Sequence, residues 1–272
     1  MEKTRRSERV IALTKYLLDR PAQLIPLTTF TDLFNTAKSS ISEDLGIIRD
    51  AFRQFGMGRI ETQTGAAGGV MYFPEMNDED ARQLADDLCA RINQPERILP
   101  GGFLYLTDLV GAPDLMYRVG LFFATRFADV RPDYVATVET KGIPLGLMTA
   151  RLLNIPLVIV RSDNRVSEGT SVSISYVSGS QRRLGSMSLP KRAISAGARV
   201  LFVDDFMRGG GTARGILDLL SEFDATCVGM GFLVTTQEPA DKLVKDYLSL
   251  LVLEEADDVK RTLRIAPGNW MQ

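Results

Sequence analysis

Residues 200–212, VLFVDDFMRGGGT, combine an apolar run, two carboxylates and three glycines in a spacing that can hold a sugar phosphate. The apolar run predicts a buried strand, and the glycines predict a turn into a helix that begins near Thr212. Backbone N–H groups at a helix N-terminus favour phosphate, and glycines let the backbone curl closely around it. Asp204 and Asp205 would repel phosphate, but they can accept hydrogen bonds from sugar hydroxyls or hold a magnesium ion indirectly.

Two other phosphate-binding patterns do not match this stretch. A Walker loop requires Gly-Lys-Ser/Thr, and a Rossmann fingerprint requires G-x-G-x-x-G directly after a first strand. The purely structural alternative is an acidic turn before a glycine-rich helix start. Adjacent carboxylates between a buried strand and three glycines favour the sugar-phosphate site over that alternative.

The composition excludes several kinds of catalytic and metal site. The 272 residues include no histidine and two cysteines, so a Ser-His-Asp triad is excluded and a structural zinc site is not expected. Cys89 and Cys227 are too few for a disulfide framework, and we predict small buried hydrophobes in a reducing cytoplasm. The sequence has neither an apolar run of eighteen residues nor a signal-peptide pattern, so we expect no membrane span.

Strands and helices alternate along residues 75–272, which predicts an α/β domain with a central, mainly parallel sheet. Its predicted strands are the apolar runs near 133–138, 155–162, 199–206 and 226–234. Ligands bind at the carboxyl ends of such strands, where a second loop, Thr140 to Gly142, is expected. The serine-rich stretch 167–189 is predicted to be a mobile hairpin or lid inserted into this domain.

Residues 1–74 predict a winged helix-turn-helix domain. Helical spacing indicates helices near 7–20 and 28–35. A third follows, in which Ser40 and Glu43 form a capping box and Gly56 is the C-terminal stop. Its apolar face is predicted from four residues at helical spacing: Ile41, Leu45, Ile48 and Phe52. Two short strands around a glycine-rich turn follow as the wing. In this fold the third helix enters the major groove of DNA.

The candidate DNA contacts lie on the third helix, on the wing and in an N-terminal arm. Residues 1–74 carry ten Lys/Arg against eight Asp/Glu, whereas residues 75–272 carry 22 against 26, so the head is mildly basic. The predicted DNA-binding residues are Arg5, Arg6, Lys38, Ser39, Ser40, Ser42, Arg49, Arg59 and Thr62. The alternative is a small helical domain that packs on the rest of the chain, since Glu43, Asp50 and Gln54 make the third helix less basic than a typical DNA reader.

Residues 200–212 resemble the phosphoribosyl-diphosphate motif of type I phosphoribosyltransferases. The closer resemblance rests on the segments PERILPGGFLYLTDLVG, TKGIPL, VSEGTSVSISYVSGS and VDDFMRGGGT, preceded by LIPLTTF, AKSSISEDL and GAAGGV. Over essentially the whole chain, these segments resemble the purine-operon regulator (purine repressor) family of Gram-positive bacteria. The resemblance implies a winged-helix domain at 1–74. It also implies a type I phosphoribosyltransferase-like effector domain at 75–272 that is not known to catalyse transfer.

The resemblance also implies ligands and partners. The effector would be phosphoribosyl diphosphate with Mg²⁺, which weakens operator binding in repressor members, and no cofactor is required. Guanosine tetraphosphate would compete for the same pocket. Homodimers would bind paired sites in double-stranded DNA upstream of purine genes.

The motifs carry site roles onto this chain by resemblance. Asp204 and Asp205 would meet the ribose hydroxyls, residues 207–212 would hold the 5-phosphate, and the loop at Thr140 would receive the diphosphate. Phe103 would stack on a ligand without the hydroxyl of the tyrosine expected there, and Gly209 replaces an expected alanine. The implied effector-binding residues are Phe103, Thr140, Lys141, Gly142, Arg161, Ser178, Gly179, Ser180, Asp204, Asp205, Phe206, Met207, Arg208, Gly209, Gly210, Gly211 and Thr212. Arg161 and residues 178–180 would be lid contacts.

An active purine phosphoribosyltransferase of the adenine/xanthine type is the alternative that the residues leave open. Arg165, Arg182 and Arg183 on the lid could supply a cation for transfer, and that chemistry does not need histidine. Residues 1–74 favour a regulator, because a transferase has no need of a winged helix. The residues do not distinguish a repressor from an activator.

Overall fold

A computed structural model describes residues 4–65, 68–162, 169–177 and 184–271. The chain folds into two compact units, Met1–Asn77 with Arg151–Asn154, and Asp78–Ala150 with Ile155–Gln272. The division falls close to the boundary predicted between residues 74 and 75. No helix within the described ranges is both long and apolar enough to cross a membrane.

The N-terminal unit has three helices and a three-stranded antiparallel sheet, as a winged helix-turn-helix requires. Its elements are α1 (Arg6–Leu18), β1 (Ile25–Pro26), α2 (Leu27–Phe34), α3 (Lys38–Phe55), β2 (Arg59–Gln63) and β3 (Gly69–Phe73). β3 lies between β1 and β2, and β2 and β3 form the wing. The apolar face predicted for α3 is confirmed, because four of its residues are buried in the domain core: Ile41, Leu45, Ile48 and Phe52. Gly56 ends α3 with a φ of 64°, which confirms the predicted stop.

α3 begins earlier than the predicted capping box allows. Its N-cap residue is Ala37, and Ser40 lies inside the first turn. The capping box of Ser40 and Glu43 is therefore wrong, because the helix continues N-terminal to the serine. A backbone cap of this kind occurs at α1 instead, where Arg5 N–H donates to Glu8 Oε2 over 2.8 Å.

The C-terminal unit is built on a six-stranded sheet in the order β13-β12-β11-β10-β6-β7. Its elements are α4 (Asp78–Ile92), β4 (Ile98–Leu99), β5 (Phe103–Leu104), α5 (Thr107–Val110), α6 (Pro113–Phe127), β6 (Tyr134–Val138), α7 (Gly142–Leu153), β7 (Leu157–Val160), β8 (Ser171–Val177), β9 (Leu184–Pro190), β10 (Arg199–Met207), α8 (Gly211–Ser221), β11 (Thr226–Thr236), β12 (Leu248–Asp257) and β13 (Thr262–Pro267). Short 3-10 turns lie at Pro95–Arg97, Ala128–Val130 and Asn269–Met271. Neighbouring strands pair in parallel except β12 with β13, so the predicted mainly parallel sheet is confirmed.

The sequence predicts strands only as far as residue 234, whereas the structure adds β12 and β13. β12 changes from an apolar first half to an acidic second half at Glu254, which breaks the pattern of a buried strand. β13 is six residues long and ends at Pro267, so its own alternation is too short to be diagnostic. β12 is stabilised by pairing with β11, and β13 by pairing with β12, and local periodicity reveals neither contact.

β10 lies in the middle of the sheet, between β11 and β6. Its apolar residues are fully buried: Val200, Leu201, Phe202 and Val203. Strands of a parallel sheet that is covered on both faces are continuously apolar in this way. The same burial holds the following acidic residues in a fixed position at the edge of the sheet.

Candidate functional site

The acidic pair lies within β10 rather than after it. The sequence predicts a buried strand from the apolar run 200–203, with the acidic pair at its edge, but β10 continues to Met207 and pairs with β11 to that residue. The extension occurs because β11 is eleven residues long and offers backbone partners beyond the pair. β6 pairs with β10 only as far as Phe202, so Asp204 and Asp205 extend past the end of that neighbour, at the carboxyl edge of the sheet.

The two carboxylates differ in how far each is enclosed. Asp204 is only 8% exposed, and burial together with the charge of Asp205 raises the pKa of Asp204 well above its ordinary value. Asp205 is half-buried; burial raises its pKa, while the hydrogen bond with Asp204 and the charge of Lys141 oppose that rise. Asp205 is therefore the member of the pair that is better exposed to a ligand.

The loop after β6 lies directly beside the acidic pair. A Cβ atom added to Gly142 would lie 2.2 Å from both Asp204 Oδ1 and Thr137 Oγ1, so only glycine fits there. Among the described residues, Thr137 Oγ1 is a buried polar atom without a hydrogen-bond partner. Thr140 and Lys141 are exposed and precede α7, which begins at Gly142. An exposed ammonium before a helix N-terminus is an arrangement that favours an anion.

The loop between β10 and α8 is the predicted phosphate loop, and it is tightly turned. α8 begins at Gly211, within one residue of the start predicted at Thr212. Gly210 has a φ of 79°, a left-handed conformation that favours glycine, and its carbonyl accepts the N–H of Arg214 over 2.8 Å. A small cavity of about 70 Å³ opens against this loop. Its lining residues are Phe202, Asp204, Phe206, Met207, Arg208, Gly209, Gly210, Gly211, Thr212, Ala213 and Phe232.

A second cavity of about 650 Å³ adjoins the phosphate loop at Phe206 and Arg208. Phe103 also lines it and is 45% exposed, so part of its ring is accessible for stacking. Other lining residues come from 101–102, 236–238 and 253–258. The structure thus brings Phe103 close to the phosphate loop although about one hundred residues separate them in the sequence.

Sequence reasoning missed much of the lining of this larger cavity. Thr236 is the last residue of the buried strand β11, and Glu238 lies two residues beyond it. Polar residues at the end of an apolar run are the same signal that Asp204 gives after its own run. Residues 253–257 belong to β12, a strand that the sequence does not predict, and Asp258 follows it. Part of that acidic segment is already engaged by the protein, since Gly101 N–H donates to Asp258 Oδ2 over 2.8 Å.

β8 and β9 form the predicted antiparallel hairpin. The hairpin packs closely on α8 at Gly215. A Cβ atom added to this glycine would lie 2.8 Å from Met187 Cε and 3.0 Å from Tyr176 Cβ, so the two elements are in contact there. Over that length the hairpin is part of the domain core rather than a free lid. The predicted contacts Ser178, Gly179 and Ser180, and the lid cations Arg165, Arg182 and Arg183, lie outside the described residues.

Arg161 lies at the base of the hairpin. Its backbone exchanges hydrogen bonds of 3.1 and 2.8 Å with Ser188, and its Nη1 lies 3.6 Å from Glu139 Oε2. Glu139 Oε1 in turn accepts Ser162 N–H over 2.9 Å and Ser162 Oγ–H over 2.7 Å. Because Glu139 immediately precedes Thr140, these contacts tie the hairpin base to the loop after β6. Direct contact between Arg161 and a ligand stays a prediction.

The exposed side of α3 carries most of the predicted DNA contacts. Lys38, Ser39 and Ser42 are exposed, and Ser40 and Arg49 are partly exposed. Lys38, Ser42 and Arg49 recur at helical intervals and so share one face.

Arg49 also connects α3 to the wing. Its Nη2 donates to Thr62 Oγ1 on β2 over 2.7 Å. The structure therefore brings one predicted helix contact and one predicted wing contact together.

Arg5 and Arg6 do not form the predicted arm. Arg6 is the first residue of α1, and its guanidinium donates to Asp44 Oδ1 over 3.0 Å and to Glu43 Oε2 over 3.2 Å. Arg5 is the N-cap residue of α1. The prediction of an arm is wrong, because α1 already begins at Arg6 and acidic side chains of α3 pair with that residue.

Arg59 on the wing is also partly neutralised. Its guanidinium lies 3.0 Å from Glu61 Oε1 and 3.1 Å from Glu75 Oε1, and it stacks over the ring of Phe73 at 4.6 Å. A phosphate would have to compete with two carboxylates at this position. Arg49 and Lys38 are consequently the stronger candidates for phosphate contacts.

Comparison with known families matches each unit separately. The family described as "Bacterial purine repressor, N-terminal" matches residues 5–74. The family described as "Phosphoribosyl transferase domain" matches residues 119–262, which is more than half of the chain.

Similar proteins extend the match to the full length. The purine biosynthesis transcriptional repressor PurR of Bacillus subtilis (strain 168) is 48% identical over 270 residues, covering 99% of this chain and 95% of that protein. The purine biosynthesis transcriptional activator PurR of Lactococcus lactis subsp. lactis (strain IL1403) is 37% identical over 265 residues, covering 97% and 98%. Adenine phosphoribosyltransferase of Saccharomyces cerevisiae has a TM-score of 0.53 at 22% identity, covering 61% of this chain and 98% of that one, which shows a shared fold.

Proposed function

Because the chain belongs to the PurR family of purine biosynthesis transcriptional regulators, we propose that it binds DNA upstream of purine biosynthesis and salvage genes. We further propose that it responds to phosphoribosyl diphosphate in the phosphoribosyltransferase-like unit and does not catalyse transfer. The observation that carries the proposal is the adjacency of two anion-favouring loops at one sheet edge, in a chain that also has a winged helix.

The geometry of the sheet edge supports a phosphorylated sugar with a second anionic group. The phosphate loop at 208–211 and the start of α8 would take the 5-phosphate, since helix N-termini favour phosphate. Lys141 and the start of α7 would take the diphosphate together with its Mg²⁺. Asp205, the more exposed carboxylate, would accept the ribose hydroxyls between them, and the enclosed Asp204 would hold Gly142 and Asp205 in place.

The larger cavity suits a flat ring beside the sugar. Phe103 offers a partly exposed ring, and Arg208 contributes to both cavities. A purine alarmone such as guanosine tetraphosphate would therefore occupy the same region as phosphoribosyl diphosphate, and the two ligands would compete. Competition follows because both ligands need the anion-favouring groups of the sheet edge.

An effector can change DNA affinity only through a difference in its affinity for two states of the protein. Typical couplings of about 1–3 kcal/mol change affinity by roughly 5- to 150-fold, and the change is reciprocal. We propose that a homodimer uses such a coupling at paired operator sites. The coupling could serve either repression or activation of the purine genes, because one full-length relative is described as a repressor and another as an activator.

Active phosphoribosyl transfer is the second candidate, and the shared fold with a phosphoribosyltransferase favours it. A transferase must orient a nucleobase towards the ribose and stabilise the departing pyrophosphate. A winged helix contributes nothing to either task. The N-terminal unit is therefore explained by the regulator and left unexplained by the enzyme.

One experiment separates the two candidates. A labelled duplex from upstream of a purine gene is titrated at fixed salt, with and without phosphoribosyl diphosphate and Mg²⁺, while pyrophosphate release is assayed with adenine, guanine, hypoxanthine and xanthine. We expect sequence-specific binding that shifts with the effector and no release with any base. Release without specific DNA binding would overturn the proposal.

A further inference from the structure

Residues 237–244, here called the strap, follow β11 and run along the back of the phosphate loop. Lys242 Nζ donates to the carbonyl of Arg208 over 2.8 Å and to the carbonyl of Pro239, also over 2.8 Å. The next residue, Leu243, donates its N–H to the carbonyl of Gly209 over 3.0 Å. Two successive carbonyls of the phosphate loop are thus held by two successive strap residues.

The strap also fills the space behind the loop. A Cβ atom added to Gly210 would lie 3.2 Å from Val244 Cγ2 and 3.3 Å from Leu243 N. Val244 itself is buried in the main core cluster. The phosphate loop therefore packs against an anchored segment and has little freedom to move backwards.

The contacts of the two carbonyls also fix the direction of the N–H groups in the phosphate loop. In a planar trans peptide the carbonyl and the N–H of the next residue point in opposite directions. Because the carbonyls of Arg208 and Gly209 point at the strap, the N–H groups of Gly209 and Gly210 point away from it. Those two residues line the small cavity, so their N–H groups face the space proposed for the 5-phosphate.

Lys242 brings a positive charge to this arrangement. Its side chain is partly buried, and burial lowers the pKa of its ammonium group while the nearby Glu238 carboxylate opposes that change. An ammonium bound to a carbonyl polarises the peptide and makes its N–H a stronger donor. A neutral donor in the same place would orient the loop but would not add this charge.

We infer that Lys242 is a positioning residue of the phosphate site, which orients the phosphate loop from behind and strengthens its N–H donors for a phosphate monoester. The inference rests on the proposed function, since it concerns the same site. It assigns to a residue outside the 200–212 motif a role in phosphate affinity. Lys242 does not touch the ligand and acts through the peptides that follow Arg208 and Gly209.

The test compares Lys242→Met with Lys245→Met in the full chain. Methionine keeps an unbranched stem and loses the ammonium, and Lys245 is an exposed lysine three residues along the strap's continuation. Calorimetry measures the affinity for ribose 5-phosphate, which carries the monoester alone, and for phosphoribosyl diphosphate with Mg²⁺. Loss of a charge-assisted hydrogen bond lowers affinity by roughly 10- to 100-fold. We expect that loss for both ligands in Lys242→Met and wild-type affinity in Lys245→Met.

Rescue separates a positioning role from a purely structural one. Lys242→Arg keeps the charge and can donate to both carbonyls, so it should recover most of the affinity, whereas Lys242→Gln, which is neutral, should not. If Lys242→Met unfolds in a thermal scan, the comparison of Lys242→Gln with Lys242→Arg takes its place. Equal affinities in Lys242→Met and Lys245→Met, or equal affinities in Lys242→Gln and Lys242→Arg, overturn the inference. Failure of the wild-type protein to bind either ligand overturns the proposed function instead.

Discussion

The helix α3, proposed to contact DNA, and the loop proposed to hold the 5-phosphate would present their binding groups in opposite ways. On α3 the groups are side chains, and the three basic residues of the helix are matched by three acidic ones, so its net charge is zero. In the phosphate loop the groups are backbone N–H donors whose directions are fixed by carbonyl contacts on the other side. Side chains can adjust to a partner, whereas fixed backbone donors depend on packing that a single methyl group disturbs.

The largest difference should appear when a methyl group is added to the glycine beside the acidic pair and to the glycine inside α3. Gly142→Ala forces Cβ to within 2.2 Å of two buried side-chain oxygens, so we expect a loss of about 3 kcal/mol of stability in the C-terminal unit and loss of effector binding. Gly46→Ala, in the interior of α3, meets nothing within 4 Å and should raise helix stability by about 0.5–1 kcal/mol. Urea unfolding measures the stability of both variants. Equal changes in stability for Gly142→Ala and Gly46→Ala would contradict this prediction.

Removing the acidic pair should abolish the response to the effector without changing the affinity for DNA. The double variant Asp204→Ala, Asp205→Ala should bind the operator duplex with wild-type affinity and show no response to phosphoribosyl diphosphate. Of the single variants, Asp205→Ala should reduce effector affinity more than Asp204→Asn, because Asp205 is the more exposed carboxylate. Fluorescence anisotropy with labelled DNA measures the response. Loss of DNA binding in a folded double variant would show that the acidic pair has been assigned to the wrong process.

On the DNA side, single substitutions should have graded effects. Arg49→Met removes a cation beside the wing, so we expect DNA affinity to fall about tenfold for specific and nonspecific duplexes alike. The slope of log affinity against log salt should also decrease by about one. Lys15→Met is the matched control, because Lys15 lies on α1 and is paired with Asp19. An unchanged salt slope in Arg49→Met would remove Arg49 from the phosphate contacts.

The smallest expected effect is a change in the pH dependence of stability, which the buried carboxylate of Asp204 should cause. Burial raises the pKa of Asp204 above its ordinary value of 3.8, so the folded state holds a proton at pH values where the unfolded chain has lost it. Stability from this group therefore increases as pH falls through the raised pKa and levels off below 3.8. Asp204→Asn should lack this dependence and be more stable than wild type at neutral pH. Urea midpoints between pH 4 and 7 test this, and parallel curves for the two proteins would contradict it.

The motif 200–212 could be predicted because local pattern and tertiary role coincide there. A central strand of a parallel sheet is apolar on both faces, and glycines before a helix start have few other uses, so the sequence predicts the strand, the loop and the helix start, although the strand continues past the acidic pair to Met207. The apolar face of α3 and the stop at Gly56 were predictable for similar reasons. In each case the structure depends on neighbours in the sequence or on burial in a single core, and both leave a pattern in the local sequence.

Apart from the capping box at Ser40, the errors concern residues whose partners lie on other elements. Arg6 resembled part of a flexible arm, but its partners Asp44 and Glu43 lie on another helix. The strap was not recognised, because the donors Lys242 and Leu243 carry no motif and gain their role only from the loop that they face. Pairing across a sheet and contacts between loops depend on topology, which periodicity along one chain does not specify.

The most direct test of effector-controlled DNA binding is a closed thermodynamic cycle. The affinity for operator DNA is measured with and without saturating phosphoribosyl diphosphate and Mg²⁺, and the affinity for phosphoribosyl diphosphate is measured with and without the operator. We expect both affinities to change by the same factor, in the range of roughly 5- to 150-fold. Phosphoribosyl diphosphate that binds the C-terminal unit and leaves DNA affinity unchanged would contradict the proposal that this site is a sensor.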